Sequence, residues 1–127
     1  MRYLVSAMLV VVAVIHLLPL PGVLGRERLA ALYGLPFDEP NLAILMRHRA
    51  VLFGLLGVFL VFAAFTPEFQ IVAFIAGFVS VVSFLGLARS VGGYNAEIGR
   101  VFTADIAALV CLVIGLAARV YLDAIGP

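Results

Sequence analysis

Asp105 stands in an apolar run that continues to Tyr121, and a carboxylate in such a place has little water to solvate it. It must be paired or neutralised, which makes it the first candidate for chemistry. Arg47, His48 and Arg49 enter a second apolar run, about Met46 to Phe65, and His16 lies one turn from the end of a first, about Tyr3 to Leu20. Helices that alternate in direction bring these residues together with Arg89, Tyr94, Asn95 and Arg100, and leave the opposite end only Glu68, Arg119 and Asp123. The polar chemistry is therefore one-sided.

Depth and helical phase separate the members of this group. Arg47, Arg89 and Arg100 fall at the ends of their runs, where arginines anchor a helix by snorkelling. Asp105 lies about four residues deeper, roughly 6 Å at 1.5 Å per residue. Arg47 and Arg49 are about 200° apart on a helix of 3.6 residues per turn, so only one faces inward, and His48 points between them. Two arrangements fit these constraints. One is a buried ion pair of Asp105 with Arg47 or Arg49 that fixes helix register. The other is a polar floor beneath an apolar cavity, where Asp105 and His16 bind or protonate a lipophilic molecule arriving from the membrane.

Other chemistries find no support in the residue pattern. A metal site needs convergent ligands at a recognisable spacing, and His16, His48 and Cys111 show none. Gly92-Gly93 lacks the phosphate-loop pattern, and the chain has no lysine. A net charge of +1 gives no basic face for nucleic acid. Cys111, the single cysteine, has no disulfide partner within the chain and reads as packing. No cofactor is expected.

The elements that must position these residues follow from composition. Of the 127 residues 65% are hydrophobic and 12% charged, with a mean hydropathy of +1.25. A soluble domain carries roughly a quarter charged residues, so this surface is expected to meet lipid. Crossing a hydrocarbon core about 30 Å thick takes roughly 20 helical residues, and four such spans fill the chain: about 3–20, 46–65, 69–89 and 100–121. The fold class is all-α: a single transmembrane domain forming an antiparallel four-helix bundle, with a short interfacial helix in the first loop.

Local signals mark the ends. Pro19, Pro21 and Gly22 stop the first span, and the absence of an A-x-A spacing near residues 20–25 makes it an uncleaved span. Arg26 to Tyr33 forms the interfacial helix, with Leu29, Leu32 and Tyr33 on one face and Gly34 as its C-terminal cap. Asp38 is expected to cap the second long helix, with Pro40 in its first turn. Thr66-Pro67-Glu68 supplies a hydroxyl cap, a first-turn proline and an acid at the positive helix end. Gly92-Gly93 ends the third span, the fourth starts near Asn95 or Ala96, and Gly126-Pro127 closes the chain.

Orientation follows the arginines. The side holding Arg26, Arg28, Arg47, Arg49, Arg89 and Arg100 outweighs the side holding Arg2 and Arg119, which puts both termini outside. Small residues form stripes along the spans: Ala50, Gly54, Gly57 and Ala64; Ala73, Gly77 and Ser80; Ala104, Ala108, Cys111, Gly115 and Ala118. Such stripes let backbones approach closely in lipid. They serve one protomer or a homo-oligomer, and the pattern leaves both open.

His16-Leu-Leu-Pro19, Arg28-Leu-Ala-Ala-Leu-Tyr-Gly34, Leu45-Met-Arg-His-Arg-Ala-Val-Leu-Phe-Gly54 and Gly92-Gly-Tyr-Asn95 together resemble a family of small four-span bacterial membrane proteins often called phosphopantetheine adenylyltransferases. The resemblance covers nearly the whole chain. It implies a bacterial inner-membrane protein, for which the arginine count gives periplasmic termini. The soluble adenylyltransferase motif H-x-G-H is not present, because His16 is followed by Leu-Leu-Pro and His48 by Arg-Ala-Val. More loosely the layout is similar to DoxX-like four-span bundles. The expected function is binding of a membrane lipid, a hydrophobic small molecule or a membrane partner at the polar cluster. The alternative is a small membrane enzyme or transporter subunit using Asp105 with Arg47 or Arg49 and His16.

Overall fold

Long apolar runs broken by proline, glycine and a few caps yield an all-helical chain. A computed structural model describes residues 1–126, apart from the side chain of Arg26; that side chain and Pro127 lie outside the described residues. Helix α1 spans Arg2–Leu17, α2 Arg26–Tyr33, α3 Pro40–Ala64, α4 Gln70–Val91 and α5 Ala96–Ile125. Short 3-10 turns at Leu20–Leu24 and Pro67–Phe69 precede α2 and α4. Among the described residues there is no strand, and four helical stretches are long and apolar enough to cross a membrane.

Several helix ends form as their residues dictate. Gly34 caps α2 in the left-handed region at φ 66°, and Gly92 and Gly93 turn the chain after α4 at φ 70° and 65°. The Asn95 side-chain oxygen accepts from the Ile98 amide at 2.8 Å, capping α5. α1 stops at Leu17, short of the expected Leu20, because Pro19 and Pro21 shape a 3-10 turn, while α5 continues past Tyr121.

Two caps correct the expectation. Pro40 occupies the first helical position of α3, so the cap falls to its neighbour Glu39 rather than to Asp38. The Glu39 carboxylate accepts from the Asn41 amide at 3.0 Å and the Leu42 amide at 2.8 Å. Those bonds hold its carboxyl below the usual glutamate range. Thr66 takes the cap position of the Pro67–Phe69 turn, with Pro67 and Glu68 following as expected, but its hydroxyl makes no cap bond and donates back to the Phe62 carbonyl at 2.9 Å.

α1 packs against both α3 and α5, and α4 packs against α5 and α3. Val5, Leu9 and Val12 of α1 meet Leu60, Phe74 and Leu112 in the core. Most of the small residues in the stripes are buried between helices of one protomer. A Cβ at Gly115 would lie 2.9 Å from the Phe74 ring, one at Gly77 2.9 Å from Leu112, and one at Gly57 2.7 Å from Leu17. Large apolar side chains such as Leu55, Val58, Ile75, Val79 and Val113 cover the outside.

Gly57 gives the sharpest test of this packing, because an added Cβ would also lie 3.2 Å from the Ala13 carbonyl oxygen, which cannot rotate away. Gly57→Ala is expected to lower stability by about 1–3 kcal/mol. Gly86 has open space around it, and Gly86→Ala should be neutral or stabilise by about 0.5–1 kcal/mol through helix propensity. Denaturation midpoints in one detergent compare the two; equal effects would contradict the close α1–α3 approach.

A candidate ligand cavity beneath the short helix

The docking of α2 creates the site. Leu29 and Tyr33 are buried with Phe37, and Met46, Ile98 and Val101 pack against them. The short helix thus roofs one end of the bundle. The Tyr33 carbonyl accepts from the Asn95 side-chain amide at 2.8 Å, and the Tyr33 hydroxyl accepts from Arg49 Nη1 at 2.6 Å. Tyr33 is only 4% exposed, so both bonds are sheltered from water.

Arg49 is held on three sides. Besides the Tyr33 hydroxyl, its guanidinium carbon lies 4.4 Å from the Phe53 ring centroid and 5.5 Å from that of Tyr33. Phe53 in turn stands 5.6 Å from the His16 ring. His16 is 2% exposed, and both its nitrogens are engaged: Nδ1 with the Val12 carbonyl at 2.9 Å and Nε2 with the Ser80 hydroxyl at 2.8 Å. A carbonyl only accepts, so Nδ1 carries a hydrogen, and in the neutral ring Nε2 accepts from Ser80. His16 therefore ties α1 to α4.

Between these groups lies a cavity of about 220 Å³, walled by α1, α2, α3 and α5. Ile15, Leu18, Leu32, Phe53, Val101 and Ala104 supply apolar walls, and Arg49, Glu97, Arg100 and Asp105 bring four charges to the same space. The residues from Glu97 to Asp105 line one face of α5 over about 12 Å at 1.5 Å per residue. Asp105 is 9% exposed and lines the cavity, so the exposure its oxygens keep opens there. Among the described residues, Asp105 has no hydrogen bond and no cation within 4.0 Å, and no two of the four charged groups form an ion pair.

The expected cluster thus divides. His16, Arg49, Arg100 and Asp105 do line one cavity. Arg47, His48, Tyr94 and Asn95 do not. Arg47 is exposed and its Nε donates to the Val23 carbonyl at 2.9 Å, on the opposite side of α3 from Arg49 as the helical phase requires. His48 is exposed, Tyr94 stacks on Phe102 at 5.6 Å, and Asn95 is a cap. The ion pair expected between Asp105 and Arg47 or Arg49 is not formed, since Arg49 is committed to Tyr33 and Phe53.

Sequence reasoning left out Tyr33, Phe53, Ser80 and Glu97. Glu97 had a readable signal, because 97, 101 and 105 recur every four residues on one helix face. Ser80 belongs to a stripe of small residues, and nothing in its sequence neighbourhood marks it as a partner for His16. The opposite end also holds more than expected: buried Gln70 accepts from Arg119 Nη1 at 2.8 Å and donates to the Ala64 carbonyl at 3.3 Å. Arg119 also donates to the Pro67 carbonyl at 3.1 Å and pairs with Asp123 at 3.3 Å. That group is a fully satisfied clamp on the α3–α4 turn. Among the described residues no group of His, Cys, Asp and Glu is placed to hold a metal ion, and Cys111 is a half-buried free thiol.

Tyr33→Phe should keep the fold but strip the guanidinium of a charge-assisted bond, costing about 1.5–3 kcal/mol. Tyr94→Phe, at an exposed ring, should cost almost nothing. Thermal midpoints of the two variants in detergent read the difference, and equal midpoints would contradict the strut role of Tyr33. No family model, curated protein or solved structure matches this chain.

Proposed function

We propose that this chain is a multi-pass membrane protein that holds the head of a lipophilic small molecule or lipid in the cavity beneath α2. In this reading α1, α3, α4 and α5 cross the bilayer as an antiparallel bundle. Their apolar outer faces support it, since an all-round apolar helix is stable in hydrocarbon and not in water. The six arginines at the cavity end support an orientation with that end in the cytoplasm and both termini in the periplasm of a bacterial inner membrane. The resemblance to small four-span bacterial membrane proteins and to DoxX-like bundles belongs to the same reading.

One observation carries it. Among the described residues Asp105 is nine-tenths buried, lines the cavity and has neither a hydrogen bond nor a cation within 4.0 Å, while Arg49 is fixed across the same space. A buried charge with no directly bonded partner is costly, and the distant pull of Arg49 offsets only part of that, which supports a site completed by a ligand. The enzyme or transporter reading gains less support, because both nitrogens of His16 are occupied and Arg47 points away. The two walls that remain, Arg49 and Asp105, position a ligand without a poised proton relay.

Native mass spectrometry of the protein in mild detergent, wild type beside Asp105→Asn, tests this. Wild type should retain a defined small molecule, and Asp105→Asn, close in size and without the charge, should lose it while staying folded. A bare wild-type chain would contradict the proposal, as would equal retention by both.

A further inference from the structure

We infer that the cavity selects a compact zwitterion of the ethanolamine phosphate type, with a primary ammonium at Asp105 and a phosphate at Arg49. This inference rests on the ligand-binding reading above and names its chemistry. Arg49, Arg100, Glu97 and Asp105 bring two positive and two negative groups to one space of about 220 Å³, and no two of them pair within 4.0 Å among the described residues. An anionic ligand would leave Asp105 uncompensated, a cationic one would leave Arg49 so, and a neutral one would leave both. Only a ligand with both signs completes the site.

The sites for each sign differ in chemistry as well as charge. Among the described residues nothing donates a hydrogen bond to Asp105, and a primary ammonium supplies that donor where a trimethylated one cannot. Arg49 gives one N–H to Tyr33 and stacks on Phe53, leaving further donors of its five for an acceptor-rich anion such as phosphate. Drug-sized ligands need about 300–1,000 Å³, so the cavity takes a head group and not a whole lipid. The chains of an aminophospholipid would remain outside, against the apolar surface. A free soluble zwitterion of the same chemistry offers the same groups without chains.

Delipidated full-length protein, titrated in native mass spectrometry with dioleoyl phosphatidylethanolamine, phosphatidylcholine, phosphatidylglycerol and O-phosphoethanolamine, decides the matter. The expected result is phosphatidylethanolamine binding at least about tenfold tighter than the other two lipids, the worth of one charge-assisted bond. Asp105→Asn should erase that preference; Glu97→Gln, at a half-buried position nearer the start of α5, should weaken it without threatening the fold. O-phosphoethanolamine bound as tightly as the lipid would support the chemistry and assign the source to the soluble zwitterion. Phosphatidylglycerol or phosphatidylcholine bound equally well would overturn the zwitterion and leave ligand binding standing, as would a preference that survives in Asp105→Asn. No binding of any probe would overturn both.

Discussion

Tyr33 is the residue on which the polar end depends. Its backbone carbonyl takes the Asn95 amide and its hydroxyl takes Arg49, so one residue on an eight-residue helix ties the start of α5 to the middle of α3. An isolated helix of that length is marginal, and here tertiary burial of Leu29 and Tyr33 supplies what propensity cannot. Gly34 then lets the chain turn away immediately in a left-handed conformation. Without this strut the roof of the cavity and the direction of Arg49 would both be undefined.

The two ends of the bundle solve the problem of buried polarity differently. At one end Gln70, Arg119, Asp123 and two backbone carbonyls satisfy one another. At the other, His16 is satisfied by neighbours, Arg49 is held by Tyr33 and Phe53 with donors to spare, and Asp105 is left facing the cavity. Close glycine contacts draw α1 to α3 and α4 to α5, whereas α4 contributes nothing to the cavity walls. Packing that is tight through the middle and open beneath α2 is what converts a structural bundle into a candidate site.

Much of this was readable in the chain. Apolar runs, prolines and glycines located the five α-helices, Gly34 was a recognisable cap, and the inward phase of only one of Arg47 and Arg49 followed from their spacing. What was not readable depended on side-chain direction. Sequence could say that Asp105 and an arginine share a depth, and not that Tyr33 and Phe53 would capture Arg49 first. It placed Ser80 in a stripe of small residues, because a hydroxyl reveals its partner only when the facing helix is known. The cap moved from Asp38 to Glu39 for a local reason, the fixed position of Pro40 at the start of α3.

The central claim is that Asp105 and Arg49 are held apart to be bridged by something other than protein. An experimental structure of the protein in its native lipid measures this directly. The account predicts the two side chains beyond ion-pair distance with non-protein density joining them beneath Tyr33. A direct Asp105–Arg49 bond with the cavity closed would contradict it.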